Sequence, residues 1–240
     1  WIPPADLRDL RELTRVRMVL SRQRTRLKNR ISSTLAKYAL VAGEYSDPYG
    51  KRARQALEVV IGKLPPQAQW VTTELLSQLD FIEAQITRQE KRLEQLLDIT
   101  PQIRWLMSLP GIGLILGATI ALEIGDNTRF AYAERLASYA GTTPRVISSG
   151  DKTRYGRLRP DVNRYLKWAF AEAANSVAVN HTRCPQRHVS QLYKRLRARK
   201  GHAKAIGAIA RHLAEAAYHV LNRKETYRDP LLNKGQSREV

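Results

Sequence analysis

The sequence predicts an all-α protein: an antiparallel coiled-coil arm followed by a compact helical domain with a helix-hairpin-helix motif. Apolar residues recur at helical spacing along most of the chain. Two long amphipathic stretches flank a short insert punctuated by Gly, Asp and Pro. Beyond Thr100-Pro101 the character shifts to Ala, Gly and shorter helical runs.

The first helix is expected from Leu7 to about Tyr38, where Leu10, Leu13, Leu20, Leu27, Ile31 and Leu35 fall near one stripe and Arg17 and Arg24 interrupt it. Pro3-Pro4 and Asp6 supply its start. Arginines at 8, 11, 15, 17, 22, 24, 26 and 30, with Lys28, cover the rest of its surface. That face reads equally as a solvated coiled-coil surface or as a nucleic-acid contact. Residues 43–50 read as a break, and a short helix from Arg52 to Gly62 stops before Pro65-Pro66. The next helix carries Trp70, Leu75, Leu79, Ile82, Ile86, Leu93 and Leu96 near a heptad repeat. Residues 1–100 are therefore assigned to a basic coiled-coil arm, formed within the chain or between subunits.

Residues 101–225 are assigned to the helical domain. Its later helices are expected over Val162–Val179, with Leu166, Ala169, Phe170, Ala173 and Val177 on the inner side, over Arg187–Arg199, and over His202–Leu221, which carries Ile206, Ile209, Leu213 and Val220. A polar tail is expected from Lys224, and residues 226–240 are assigned to a flexible end.

Composition narrows the partners. The 240 residues hold 41 Lys+Arg against 22 Asp+Glu, a formal charge of +19, and the sequence pI is near 10.5. Such a chain attracts a polyanion, and nucleic acid is the first candidate. No apolar run approaches the roughly 18 residues of a membrane span. The single cysteine, Cys184, rules out an internal disulfide and fits a reducing cytoplasm. The chain opens on Trp1-Ile2-Pro3-Pro4 rather than Met, so an upstream segment is expected to have been removed or never included.

Two segments concentrate candidate chemistry. Leu109-Pro110-Gly111-Ile112-Gly113, between two short helical runs, reads as the helix-hairpin-helix. Gly111 and Gly113 would let backbone N–H groups approach a phosphate, and the alternative is a tight turn between packed helices. The second segment, residues 142–159, reads as a loop carrying Ser148, Ser149, Gly150, Lys152, Arg154, Arg157 and Arg159. A serine hydroxyl needs a base or metal for attack and cations to hold the developing charge. The cations are present, whereas Asp151 and Asp161 lack the spaced carboxylate partner of a two-metal site. On its residues alone the loop reads as a phosphate grip, with catalysis the narrower alternative. His181, Cys184 and His188 lack a fourth zinc ligand at a recognisable spacing, and Glu123 and Asp126 read as a cap or surface pair, so no metal ligand is assigned.

In order and at compatible intervals, LPGIG, ALEIGDNTRF, RLASYAG, TTPRVISSGDKTRYGRL and NRYLKWAFAEAA resemble transposases of the IS110/IS492 family, which includes the Piv-type DNA invertases. The opening WIPPADLRDLRELTRVRMVLSRQRTRLKNRI resembles the segment leading into that family's coiled-coil arm. The resemblance implies a bacterial, nucleoid-associated DNA recombinase in two parts, an amino-terminal RuvC-like domain with a Mg²⁺-binding acidic tetrad and a helical domain supplying a serine nucleophile. That serine corresponds to Ser149, with Ser148 as the alternative if the register differs by one. Lys152, Arg154, Arg157, Arg159 and Arg164 would grip the DNA backbone. The acidic tetrad belongs before the segment matching Trp1, so its ligands are not in this chain, which is not expected to cut DNA alone. The resemblance also implies a homo-oligomer formed through the coiled coil and, in some members, a structured guide RNA.

Overall fold

A computed structural model describes residues 1–41, 43, 45, 47–96, 99–150, 152–158 and 160–232, with only the backbone of residues 155 and 157. The described residues are mostly helical: α1 (Ala5–Lys37), α2 (Arg54–Ile61), α3 (Pro66–Leu96), α4 (Pro101–Met107), α5 (Leu114–Ile124), α6 (Ala133–Tyr139), α7 (Arg164–Asn180), α8 (His188–Lys200) and α9 (His202–Arg223). A 3₁₀ turn covers Asn127–Arg129, and strands β1 (Pro144–Ser149) and β2 (Lys152–Leu158) form one antiparallel hairpin. None of the described helices is long and apolar enough to cross a membrane. The chain divides into one unit of Arg15–Leu96 and another of Trp1–Thr14 with Leu97–Val240.

In the first unit α1 and α3 run antiparallel. Arg17 meets Glu90 at 2.7 Å, while further along α1 Lys28 lies 3.5 Å from Glu83. Ile31, Leu35, Leu57, Ile61, Leu64, Leu76 and Leu79 form a dry cluster that joins α2 to the pair. Pro66 opens α3 because proline's fixed φ suits a first helical turn whose N–H needs no partner.

The second unit is built around α9, which packs against α4, α6, α7 and α8. Alanines make this close approach possible. Ala169, Ala173 and Ala174 of α7 and Ala205, Ala214 and Ala217 of α9 are fully buried, and Phe170 and Leu213 fill the remaining space. Burying each such large side chain contributes about 1.5–3 kcal/mol.

Long-range polar contacts fix the ends of these elements. Arg11, read from the sequence among the surface arginines, is only 4% exposed. It donates to the carbonyls of Leu122 and Glu123 at 2.7 and 2.9 Å, at the electronegative end of α5. The buried Glu123 carboxylate accepts from Asn163 Nδ2 at 2.8 Å, and Asn163 Oδ1 caps α7 by accepting from Tyr165 and Leu166 N–H. Glu123 is thus an interior residue rather than part of a surface pair, whereas Asp126 caps the 3₁₀ turn through Thr128 N–H.

The expected tail from Lys224 is held at Tyr227 and Asp229. Tyr227 N–H donates to Ser108 Oγ at 2.7 Å, and the Asp229 carboxylate caps α8 by accepting from His188 N–H at 3.1 Å. These partners lie 119 and 41 residues away in sequence, so local polarity gave no sign of them. The expectation for residues 233–240 lies outside the described residues.

Candidate nucleic-acid interface

The expected loop over residues 142–159 is a β-hairpin. Val146, Ile147 and Thr153 suit extended backbone, and Gly150, at φ +58°, takes the left-handed conformation that a tight hairpin turn requires. Ser149 pairs with Lys152, Ser148 with Thr153 and Ile147 with Arg154, and an irregularity between Pro144 and Val146 leaves an extra residue on β2.

This register separates the two serines. Side chains alternate along a strand, and directly paired residues share a face. Ser149 therefore lies with Lys152 and Arg154, while Ser148 lies on the opposite face with Thr153. The described side chains from Arg145 to the hairpin tip are exposed, so a polyanion has direct access.

The foot of the hairpin is rigidly held although its strands are bare. Thr142 donates through both N–H and Oγ1 to the Ala137 carbonyl at 3.0 and 2.9 Å. On the return side, Asn163 N–H donates to the Tyr139 carbonyl at 2.9 Å. Both ends of the hairpin are thereby tied to α6, and the Asn163 cap links its exit to buried Glu123. A two-stranded hairpin is marginal by itself, and this base supplies the missing constraint.

Arg157 lies in β2, Arg164 is the exposed first residue of α7, and Arg159 falls outside the described residues. Sequence reading missed an open cleft of about 520 Å³ at the foot of β1, lined by Glu134, Ser138, Thr143, Pro144, Arg145 and Arg211. Arg211 comes from α9 and is ion-paired with Glu215 at 2.7 Å, a placement that only the packing of α6 on α9 creates.

The LPGIG turn joins α4 to α5. Gly111 has φ +80°, and a Cβ there would lie 2.4 Å from the Ala173 carbonyl oxygen, so α7 explains why this position is glycine. Gly113 differs: it is exposed, precedes the first turn of α5 and has open space where a Cβ would stand. Of the two glycines, Gly113 leaves the approach to backbone N–H groups clear.

Among the described residues no group of three or more His, Cys, Asp or Glu is arranged to hold an ion. His181 Nδ1 lies 2.7 Å from the Ala178 carbonyl, and the His188 ring packs against His212 at 5.0 Å.

The hairpin, the LPGIG turn and α7 fall within residues 103–191, the stretch that matches the Transposase IS116/IS110/IS902 family. Residues 103–191 are a transposase domain of that family. Similarity extends beyond this domain: a probable family 20 transposase from Pseudomonas aeruginosa is 28% identical over 95% of this chain and 67% of its own length. The transposase for insertion sequence element IS1111A from Coxiella burnetii is 25% identical over 92% of this chain and 60% of its own. The pilin gene-inverting protein of Moraxella lacunata is 38% identical over 69 residues, 27% of this chain and 21% of that protein. The chain thus spans about two thirds of the length of the first two relatives and a smaller share of the third. The transposase domain contains both serines and every described cation of the hairpin.

Proposed function

We propose that this chain is the DNA-handling part of a site-specific transposase or recombinase, with Ser149 as its nucleophile. The observation that carries the reading is the placement of Ser149 on the same hairpin face as Lys152 and Arg154. The Ser149 oxygen attacks a backbone phosphorus, forming an Oγ–P ester and breaking the P–O bond to one deoxyribose oxygen, which takes up a proton and leaves as a hydroxyl. One phosphoester replaces another, so the reverse attack rejoins DNA without an external energy source. Lys152 and Arg154 hold the negative charge that grows on the non-bridging oxygens. Arg157, Arg159 and Arg164 extend the phosphate grip, and the amides beside Gly113 and the turn at Gly111 form a second contact. Homo-oligomerisation through the long helices and use of a guide RNA belong to the same reading.

The carboxylates that would hold Mg²⁺ and activate the hydroxyl are assigned to a RuvC-like domain outside these residues. The test supplies that domain with Mg²⁺ and a guide RNA, then seeks a protein–DNA covalent adduct. Wild type is expected to form it, Ser149→Ala to abolish it and Ser148→Ala to retain it. Loss in Ser148→Ala with persistence in Ser149→Ala would move the nucleophile by one residue. The second reading, a non-catalytic DNA- or RNA-binding and oligomerisation module, rests on the exposed Lys152 and Arg154 of the hairpin, which hold a phosphate without any covalent step. A folded, DNA-bound assembly that forms no adduct would favour it.

A further inference from the structure

We infer that α8 is a second nucleic-acid surface beside the serine hairpin's, built to lie in the major groove of duplex DNA. This rests on the recombinase reading only for the identity of the partner.

The first observation is a local imbalance of charge. Residues 173–214 contain no Asp or Glu, and within them residues 187–204 hold seven Lys or Arg. Among the described residues, Lys194, Arg195, Arg197 and Arg199 are exposed and make no ion pair. The unit of Arg15–Leu96 shows the contrast, because Arg17, Lys28 and Arg54 each meet a carboxylate there. Surface solubility alone does not require an acid-free stretch of this length, and cations in the last helical turn answer the helix dipole only at Arg197, Arg199 and Lys200.

The second observation is how the charges are arranged. Val189, Ser190 and Tyr193 are buried, and Leu192 and Leu196 pack against the same core, so these five fix the inner side of α8. At about 100° per residue, Gln191 and Ala198 fall on the outward mid-line. Lys194 flanks that line on one side, with Arg197 further round toward the buried face, and Arg195 and Arg199 flank it on the other. The result is a neutral ridge between two cationic edges.

B-form DNA offers the complement. An α-helix about 10–12 Å across enters a major groove about 12 Å wide, bounded by a phosphate strand on each side. The two cationic edges meet the two strands, and Gln191 faces the base edges, where a glutamine side chain pairs with adenine. The narrow, deep major groove of A-form RNA does not admit a helix in this way. Most of α8 lies beyond the residues 103–191 that match the transposase family.

The test measures anisotropy of a labelled 20-base-pair DNA duplex with the 240-residue chain across a salt series. Replacing Lys194, Arg195, Arg197 and Arg199 together by glutamine is expected to reduce the slope of log K against log salt by about three to four, near 0.9 per lost phosphate contact. Gln191→Ala should change sequence preference while leaving that slope intact. Failure of the reconstituted wild type to form a covalent adduct would overturn the recombinase reading without touching this one, because duplex binding by α8 needs no nucleophile. An unchanged slope in the fourfold variant, with wild-type circular dichroism, would overturn the α8 surface. Equal losses on DNA duplex, single strand and RNA duplex would overturn the groove assignment. The single variants Arg195→Glu and Arg197→Glu repeat the measurement with minimal disturbance of the fold.

Discussion

Ser149 stands directly opposite Lys152 in the hairpin register. Pairing puts both side chains on one face, with Arg154 two residues further along β2 on the same face. Ser148, the adjacent residue, is turned to the other face opposite Thr153. By this register Lys152 and Arg154 share the face of Ser149 and not that of Ser148.

That asymmetry makes the hairpin's charge effect depend on the face. Lys152→Gln and Arg154→Gln are each expected to lower the salt slope of DNA binding by about one and to weaken adduct formation, since each removes one phosphate contact. Thr153→Ala, on the other face, should leave the slope unchanged. Fluorescence anisotropy on a DNA duplex across a salt series measures both.

Gly111 and Gly113 should respond oppositely to alanine. At Gly111 the new Cβ would lie 2.4 Å from the Ala173 carbonyl oxygen in a left-handed conformation, and overpacking of this kind costs about 1–3 kcal/mol before the backbone strain is added. At Gly113 there is open space and ordinary negative φ. Urea denaturation should show a large fall in midpoint for Gly111→Ala and little change for Gly113→Ala.

Removing Arg11 should destabilise the helical unit although its sequence neighbourhood looks like surface. Arg11→Met strips the Leu122 and Glu123 carbonyls of a charged donor and weakens the surroundings of the buried Glu123 carboxylate. Breaking a buried charged network costs about 3–5 kcal/mol. Chemical denaturation of Arg11→Met, compared with the exposed Arg8→Met, gives the difference directly.

Acid should loosen the packing of α9. Burial, reinforced by neighbouring His188, lowers the His212 pKa below its ordinary value, while Glu215 and Asp229 oppose the shift. Below the ordinary histidine value near 6.5 the unfolded chain takes up this proton more readily than the folded one, so stability falls as pH drops from there toward the lowered folded value. His212→Phe should flatten the melting temperature between pH 7 and 5. At the alkaline end, burial and then Asp229 raise the Tyr227 phenol to about 12. Stability should therefore fall as pH rises through the ordinary tyrosine range toward that value, and a steady melting temperature there would contradict the burial of this ring.

Much of the helical framework was legible because a helix repeats its environment every three to four residues. Leu166, Ala169, Phe170 and Ala173 announced the inner face of α7, and that face is buried. The hairpin was not legible in the same way. With both faces in solvent, its strands have no core side to impose an apolar–polar alternation, and Val146 and Ile147 are both more than half exposed. The serine pair was visible from the start, but its two faces were not.

By itself, the sequence determined the helical class, the strong positive charge and the ordered family motifs around Ser148 and Ser149. All of these are written in local periodicity, composition or short-range spacing. Only the tertiary structure decided that Ser149 faces Lys152, that α7 leaves no room for a Cβ at Gly111, and that Arg11 is an interior residue. Each depends on groups brought together by strand register or packing, and the Arg11 contact spans 111 residues. A residue's own neighbours can specify its backbone, but they do not specify which distant carbonyl, cation or helix will meet it.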